Sequence, residues 1–481
     1  MAGITAYGAY VPRARLKRGA ITATLGAGGG KGTRAVASYD EDTTSMAVEA
    51  GRIALRGRDL SIEQLFFATA APAYLDKTNA TAVHAGLALG EDVLAADLGG
   101  AVRSGVAALL AAAGGTTSTL VALSDTRTGR PGGSDEANGG DAAAVLVLGP
   151  GTAGAPVLAE VVTHASATAE FLDRWRQPGD ATSRAWEERF GETEYVPLAD
   201  AAFAAALKQA DLTPEAVDHF IVVGVHPRAA RVFSARTGVR KEAFADDLSA
   251  SVGNTGTAAL GLVLADVLDR AGANETIVAI VLADGATALV LRTTDALPQH
   301  RSSQSVSAQI TSGDDSLPYA TFLSWKGFLD REPPRRPDPV PPYAPPAARA
   351  TRWKYGFIAA RCTECGTRWL PPSRVCEHCR AVDKMSPEPM ADVSARIRTF
   401  SVDNLAFTPS PPLIGVVVDF DGGGRFSCEL TDADASTVAV GNEVEMTFRR
   451  TITAAGIHNY FWKARPVRTA PTGTSQASEE S

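Results

Sequence analysis

The sequence predicts an α/β domain that is followed by a zinc ribbon and a small all-β barrel. In residues 1–298, apolar strand-like runs alternate with Ala-rich helical stretches, which is the pattern of a layered α/β fold. Two CxxC pairs follow at residues 362–365 and 376–379. The chain then changes to short runs of alternating polar and apolar residues between Gly-rich turns, which is typical of a barrel of the OB type.

Composition indicates a globular protein of two or three domains with no general affinity for polyanions. The 481 residues are 45% hydrophobic and 21% charged, enough to bury several cores. The formal net charge is -8 and the pI is about 5.5, so no global basic field would concentrate nucleic acid or anionic lipid. No apolar run approaches the ~20 residues of a membrane span, and the N-terminus lacks a signal-peptide pattern. We therefore expect a cytoplasmic protein that binds neither nucleic acid nor membrane.

The α/β part contains an internal echo. Its candidate strands are Phe66–Ala71, Leu120–Ser124, Ala143–Leu148, Phe220–Val225 and Ile277–Leu282. The second and the last of these runs, in TLVAL and TIVAIVL, are each followed by a polar gap and another apolar run, AAAVLVL and GATALVL. The echo has two interpretations, an internal duplication or two ordinary β-hairpins.

A Pro-rich linker separates the α/β part from the C-terminal domains. Half of residues 331–346 are proline, which favours extended polyproline II and indicates a semi-rigid spacer. Before it, the aromatic segment Tyr319–Leu329 could be a helix that docks one domain on another, or a terminal helix of the core. The tail from Thr469 is too polar to bury, and we expect it to be disordered.

The cysteines predict a structural metal site. Residues 1–361 contain no cysteine, and the two CxxC pairs have the spacing of a tetrahedral Zn²⁺ site with four thiolate ligands, Cys362, Cys365, Cys376 and Cys379. A filled site has no open position for substrate, so we expect structural zinc; the alternatives are a redox dithiol or a catalytic zinc. The pattern, with the lone Cys428, fits a reducing compartment.

Five strands are predicted after the ribbon: Ala395–Val402, Leu413–Phe420, Arg425–Leu430, Val444–Arg449 and His458–Ala464. The last of them contains the aromatic and basic cluster of residues 460–463, YFWK. Such a cluster could stack nucleic-acid bases. The acidic pI and the adjoining ribbon favour a packing or acyl-binding surface instead.

About residues 1–298 resemble 3-hydroxy-3-methylglutaryl-CoA synthase of the archaeal and bacterial kind. The resemblance is carried by residues 4–16 (ITAYGAYVPRARL), 40–55 (DEDTTSMAVEAGRIAL), 95–105 (AADLGGAVRSG), 125–132 (DTRTGRPG), 189–195 (RFGETEY) and 253–255 (GNT). It implies a thiolase-type fold, which is a duplicated five-layer α/β fold, and therefore favours duplication over two hairpins. It also implies a coenzyme A thioester as substrate and a homodimer formed through the thiolase-like domain.

Residues 319–467 resemble the DUF35 family, in which a rubredoxin-like zinc ribbon precedes an OB fold. The resemblance is carried by RCTECGTRWLPPSRVCEHC, SPPLIGVVVDFD and FRRTITAAGIHNYFWKARP. Members of that family act as partners of thiolase-like enzymes, and here the two would be fused, which raises their effective concentration. The predicted domains are thiolase-like halves at 1–165 and 166–298, a docking segment and linker at 299–350, a ribbon at 351–392, an OB fold at 393–468 and a tail at 469–481.

The synthase resemblance implies three catalytic groups, of which two are replaced in this chain. A cysteine nucleophile is acylated by acetyl-CoA, a glutamate acts as general acid/base, and a histidine orients the acyl thioester. Aligning residues 95–105 with the nucleophile motif puts Val102 at the cysteine position. Aligning residues 69–77 with the glutamate motif puts Ala70 at the acid/base position.

Three further residues match functional positions of the same family. His226 corresponds to the catalytic histidine, Asn254 to the asparagine that faces the same pocket, and Arg231 to a basic residue near the CoA phosphates. Each also has an ordinary structural interpretation, as a loop histidine, a turn asparagine and a solvated cation.

Because a valine cannot form an acyl-enzyme, the sequence favours an acyl-CoA enzyme that makes or breaks a carbon–carbon bond by aldol chemistry. Such a reaction needs donors around an enolate oxygen and a base, but no thiol. Ser104, the nearest hydroxyl, would point about 200° away from Val102 on a helix. The alternatives are a catalytically inactive scaffold that binds acyl-CoA or a partner, and a synthase or acyltransferase whose nucleophile lies elsewhere.

Overall fold

The computed structural model describes residues 2–333, 335 and 340–468; the predicted disordered tail lies outside these residues. Its strands are β1 (Gly3–Tyr10), β2 (Arg15–Lys17), β3 (Thr33–Ala35), β4 (Gln64–Thr69), β5 (Leu94–Gly99), β6 (Thr119–Asp125), β7 (Ala142–Gly149), β8 (Ala159–Ala167), β9 (Arg174–Trp175), β10 (Arg184–Ala185), β11 (His219–Gly224), β12 (Thr276–Leu282), β13 (Ala286–Thr293), β14 (Ile358–Cys362), β15 (Arg368–Trp369), β16 (Met385–Pro389), β17 (Ala395–Asp403), β18 (Leu413–Phe420), β19 (Arg425–Leu430), β20 (Glu443–Ala454) and β21 (Ile457–Pro466).

The helices lie mainly in the first two thirds of the chain. They are α1 (Arg18–Leu25), α2 (Thr43–Leu55), α3 (Ala80–Gly86), α4 (Arg103–Gly114), α5 (Ser134–Asn138), α6 (Glu188–Gln209), α7 (Pro227–Ser234), α8 (Ala259–Arg270), α9 (Val306–Thr311), α10 (Tyr319–Trp325), α11 (Ala344–Arg349) and α12 (Thr351–Lys354). Within the described part of the chain, no helix is both long and apolar enough to cross a membrane.

The strand order confirms the internal duplication. Nine strands form one sheet in the order β11-β12-β13-β8-β1-β7-β6-β4-β5. In the first half, β4 is parallel to β5 and β6, β6 is antiparallel to β7, and β7 is antiparallel to β1. In the second half, β11, β12, β13 and β8 repeat that order and those directions, and the edge strand is reduced to a bridge between Phe220 and Phe244.

The five-layer arrangement of the α/β part is also confirmed. One hydrophobic cluster lies between the two halves of the sheet and contains α4 and α8, for example Leu109 and Leu264. A second cluster lies under α2, around Met46, and a third under α6, around Phe203. Strands β6 and β12 are buried along their whole length, which explains why they appear in the sequence as continuous apolar runs. Because β8 begins the second half, the predicted division after residue 165 falls inside a strand.

The C-terminal part contains the expected ribbon and barrel. Strands β15, β14 and β16 form a three-stranded sheet, and β17, β18, β19, β21 and β20 close a barrel. In β18, buried positions alternate with half-buried ones, because one face points into the barrel. Helix α10 packs on the first half through Tyr319 and Phe322. Residues 334 and 336–339 of the predicted linker lie outside the described residues. Its last residues are helical, since α11 begins at Ala344 with prolines in its first turn, where their missing N–H groups cost no hydrogen bond.

The barrel docks on the α/β part through a buried network of charges. Arg449 of β20 has a fully buried side chain within 3.3 Å of Asp40, 2.7 Å of Glu41 and 2.7 Å of Asp432. Lys463 of β21 lies 2.9 Å from Asp40. These cations lower the pKa of Asp40 despite its burial.

A second set of contacts surrounds α2. Glu49 accepts from Arg52 at 2.8 Å and lies 3.1 Å from Arg465 of β21. Burial favours the neutral carboxyl, but the two arginines lower the pKa of Glu49 to about 2. The Arg52 guanidinium also lies 4.9 Å from the centre of the Trp462 ring. In the aromatic and basic cluster of residues 460–463, Tyr460, Trp462 and Lys463 are buried. This cluster therefore packs between domains.

Candidate functional site

A cleft of about 800 Å³ lies where the first half, the second half and the barrel meet. Its walls come from the loop after β4 (residues 69–79), the loop from β5 into α4 (99–102), the segment 174–183, the turn after β12 and the hairpin of β20 and β21. The cleft therefore gathers residues from both halves of the α/β part and from the barrel.

Val102 and Ala70 both line this cleft. Val102 directly precedes the first residue of α4 and has helical backbone angles, and Ala70 directly follows β4. Neither side chain can donate or accept a proton. Ser104 is not part of the cleft wall, and its hydroxyl donates to the Gly99 carbonyl at 2.9 Å. The positions implied by the resemblance are thus together, and both are apolar.

His226 lies at the N-terminus of α7 with its side chain 7% exposed. Its Nδ1 accepts a hydrogen bond from the Ala229 backbone N–H at 3.0 Å, so in the neutral ring the proton is on Nε2. Nε2 has no hydrogen-bond partner among the described residues. A buried donor without a partner is uncommon in folded proteins and needs an explanation.

Gly191 lets α6 pack directly against the imidazole of His226. A Cβ added to Gly191 would lie 2.5 Å from His226 Cδ2 and 2.7 Å from Asp173 Oδ1, closer than any side chain could approach. The Tyr195 ring lies 5.8 Å from the imidazole centre. Burial raises the pKa of the Asp173 carboxyl, and the neighbouring His226 opposes this effect. The glycine of the RFGETEY segment is therefore required by the position of the histidine ring.

His226, Asn254 and Arg231 all lie outside the cleft wall. The Asn254 side chain donates to the Gly224 carbonyl at 2.6 Å and accepts from the Gly256 N–H at 2.9 Å, so it ties the end of β11 to the following turn. Val225, the next residue after that strand, does line the cleft. Arg231 is exposed on α7. His226 and Asn254 therefore lie behind the cleft wall at Val225, and Arg231 lies further along α7 on the surface.

Four arginines that the sequence did not single out line the cleft. Arg174 makes a two-bond ion pair with Asp135, at 2.8 and 2.7 Å, and Arg127 lies 3.7 Å from Asp125. Arg176 donates to the Ala70 carbonyl. The fourth, Arg450, comes from the barrel. The cleft wall thus carries four arginines together with four aspartates, Asp42, Asp97, Asp180 and Asp284.

The barrel also contributes His458 to the cleft. Its backbone N–H donates to the Tyr74 hydroxyl at 2.8 Å, and the two rings lie 5.1 Å apart. Burial and the nearby Arg450 lower the pKa of the His458 imidazole. The loop that carries Ala70 is therefore held against the hairpin of the barrel.

The four cysteines of the ribbon come together as a metal site would require. Their sulfur atoms all lie within 4.8 Å of one another; Cys362 and Cys379 are 3.6 Å apart, and Cys365 and Cys376 are 3.5 Å apart. Zn–S bonds of about 2.3 Å in a tetrahedron put sulfur atoms about 3.8 Å apart. The arrangement therefore fits a structural Zn²⁺ ion held by four thiolates.

Comparisons with known proteins agree with the two parts of the fold. The chain is 27% identical over 344 residues to hydroxymethylglutaryl-CoA synthase of Methanocaldococcus jannaschii, a match that covers 68% of this chain and 99% of that protein. It superimposes with a TM-score of 0.59 and 17% identity on a crystal structure of HMG-CoA synthase complexed with CoA, over 67% of this chain and 89% of that one.

A second solved structure and a family match complete the comparison. The 3-oxoacyl-(acyl carrier protein) synthase III of Pseudomonas aeruginosa superimposes with a TM-score of 0.53 and 21% identity, over 61% of this chain and 98% of that one. Residues 388–449 match the family described as ChsH2, C-terminal OB-fold domain. The chain thus joins an N-terminal part that is similar to HMG-CoA synthases and has the thiolase-like fold to a C-terminal domain that matches the DUF35-type OB fold.

Proposed function

We propose that the protein is an acyl-CoA enzyme that makes or breaks a carbon–carbon bond by aldol chemistry without forming an acyl-enzyme. The observation that carries this proposal is the pair Val102 and Ala70 in the cleft wall. A reaction through an acyl-enzyme needs a thiolate or a hydroxyl at the first position, which Val102 does not offer, and residues 1–361 contain no cysteine. An aldol reaction needs no such nucleophile.

The arrangement of His226 supports an enolate intermediate. Breaking the bond between Cα and Cβ of a β-hydroxyacyl thioester leaves an electron pair on Cα, which the thioester oxygen shares as an enolate. A positioned N–H donor stabilises that oxygen as its charge develops. Since Nδ1 of His226 is engaged as an acceptor and Nε2 has no partner among the described residues, we assign Nε2–H this donor role. Nε2 is buried behind the cleft wall at Val225, so the role requires the thioester oxygen to pass that wall. Asn254 would act by fixing the strand end beside the histidine.

The remaining features supply binding rather than chemistry. The arginines of the cleft, of which Arg176 lies beside Ala70, suit an anionic or strongly polar substrate group. The zinc of the ribbon would be structural and would hold the ribbon fold together. We expect a homodimer formed through the thiolase-like domain, since β5 is the edge strand of the sheet and carries exposed positions that a second copy could pair.

Two incubations test the proposal with the full-length protein. Acetyl-CoA should leave the intact mass of the protein unchanged, whereas an acetylated protein would show that a nucleophile exists and would refute the proposal. A series of β-hydroxyacyl-CoA thioesters should then include one that is cleaved to a shorter acyl-CoA and a carbonyl compound. If every thioester binds and none is cleaved in either direction, the thiolase-like part is an inactive scaffold.

A further inference from the structure

We propose that Asp284 is the general base of this cleft. This inference rests on the proposed function and adds the group that moves the proton, which neither Val102 nor Ala70 can do. Asp284 lies in the turn between β12 and β13 and lines the cleft together with Val102. Its side chain is exposed to the cleft and can therefore reach a bound substrate.

The backbone of Asp284 is held from both halves of the α/β part. Its N–H donates to the Tyr195 hydroxyl at 3.2 Å, and the Tyr195 ring packs against His226. Arg103, at the N-terminus of α4, donates to the Asp284 carbonyl oxygen. The turn thus connects the helix that begins beside Val102 with the tyrosine that packs on the histidine.

The carboxylate of Asp284 accepts no hydrogen bond from the described part of the chain, and this distinguishes it from other carboxylates in the cleft. Asp97 accepts from two backbone N–H groups and one side-chain amide at the start of α3. Asp42 accepts from Ser45 and from Tyr460, and lies 3.8 Å from Arg450. Hydrogen bonds of this kind stabilise the ionised form and weaken a base.

The charges around Asp284 come from three elements. Arg103 lies on α4, Glu170 and Asp173 lie on the segment after β8, and Tyr195 on α6 offers its hydroxyl. Partial removal from water raises the pKa of Asp284, Arg103 opposes this, and Glu170 adds to it. A carboxylate with a raised pKa is a better general base near neutral pH than an ordinary aspartate.

The proton and electron movements balance without any further reactant. Asp284 takes the proton of the β-hydroxyl group, the oxygen forms the new carbonyl, and the bond between Cα and Cβ breaks. Its electron pair passes to the thioester enolate, which His226 Nε2–H stabilises. The proton on Asp284 then returns to Cα and gives the shortened acyl-CoA. In the direction of synthesis the same carboxylate removes the Cα proton.

Asp284 also has a structural role that the test must separate from catalysis. Its φ is 46°, in the left-handed region, and Gly285 follows it, as in the Asp-Gly turns that favour hairpins. Asn-Gly is equally suited to such a turn, so Asp284→Asn keeps the turn and removes the base. Asp211→Asn is a matched control, because Asp211 is also an exposed aspartate with a positive φ, 52°, outside the cleft wall.

The experiment measures two reactions of the full-length protein. The first is the exchange of Cα protons of propionyl-CoA in D₂O, followed by mass spectrometry. The second is cleavage of the β-hydroxyacyl-CoA that the wild type accepts. Asp284→Asn should slow both by about 10²–10⁴-fold, with unchanged thermal unfolding, while Asp211→Asn should match the wild type.

The outcomes distinguish this inference from the proposed function. A wild type that neither exchanges nor cleaves refutes both. If the wild type is active and the rates of Asp284→Asn are within a few-fold of the wild-type rates, only the role of Asp284 is refuted. If the variant fails to fold, the pH dependence of kcat/KM of the wild type tests the role of Asp284 instead. A general base with a raised pKa makes kcat/KM fall at acid pH. A value of kcat/KM that stays constant from pH 4 to 8 would refute the role of Asp284.

Discussion

Replacing Arg449 by methionine should strongly destabilise the docking of the barrel on the α/β part. The Arg449 side chain is 0% exposed and is the shared partner of Asp40, Glu41 and Asp432. Methionine keeps much of the volume and removes the charge. The three carboxylates would then be buried with fewer compensating cations, and breaking a buried pair in this way costs about 3–5 kcal/mol.

The matched control is Arg425→Met. Arg425 also pairs with an aspartate, Asp419, through two hydrogen bonds of 2.6 and 2.9 Å, but its side chain is 61% exposed. Exposed pairs contribute about 0–1 kcal/mol. The two variants therefore differ in burial and not in the kind of bond that is lost.

Urea unfolding followed by tryptophan fluorescence measures the effect, because Trp462 lies in the same interface and is 1% exposed. We expect Arg449→Met to lower the free energy of unfolding of this interface by about 3–5 kcal/mol and Arg425→Met by less than about 1 kcal/mol. Equal losses in the two variants would refute the reasoning, since the buried network would then contribute no more than a surface pair.

Three other predictions concern the metal, the histidine and acid stability. The purified protein should contain about one zinc per chain by elemental analysis, and Cys376→Ser should lose the metal and unfold the ribbon; a reduced protein without zinc would contradict this. Gly191→Ala puts a Cβ 2.6 Å from His226 Nε2, so it should reduce turnover at least tenfold while zinc content stays unchanged; full activity would show that the ring position is unimportant. The folded-state pKa of Glu49, about 2, lies below its ordinary value of 4.5. The ionised Glu49 therefore contributes its full share to the free energy of unfolding above about pH 4.5, and this share is lost as the pH falls towards 2. The urea midpoint of the wild type should fall over that range, and the midpoint of Glu49→Gln should fall less steeply.

Much of the fold could be predicted from the sequence because the patterns are local. The strands Leu413–Phe420 and Arg425–Leu430 have the predicted ends, since period-two alternation and Gly-rich turns mark both boundaries. The four cysteines gather as their spacing predicts. The echo between the two halves corresponds to β6–β7 and β12–β13, because both pairs are buried between layers and both must be apolar.

The remaining features depend on contacts between distant parts of the chain. Arg449, Lys463 and Arg465 occupy alternate positions of barrel strands, and a charged residue in such a strand is usually exposed. Their burial depends on carboxylates about 400 positions earlier, such as Asp40 beside Arg449 and Glu49 beside Arg465. Asp284 follows an apolar strand and precedes a glycine, so in the sequence it resembles an ordinary turn residue. Its position in the cleft wall is visible only in the structure.

The same two strands that dock the barrel also carry its contribution to the cleft. Successive side chains of a strand point to opposite faces, so Arg449 enters the buried network while Arg450 lines the cleft. His458, near the start of β21, holds the Tyr74 loop, and Lys463 further along enters the network. Docking and the shape of the cleft are therefore coupled. Because the barrel is fused to the α/β part, docking is intramolecular and does not weaken on dilution. Dilution of the protein should therefore not reduce turnover per chain through loss of the barrel. Weakening the network at Arg449 should reduce turnover, even though this residue does not line the cleft.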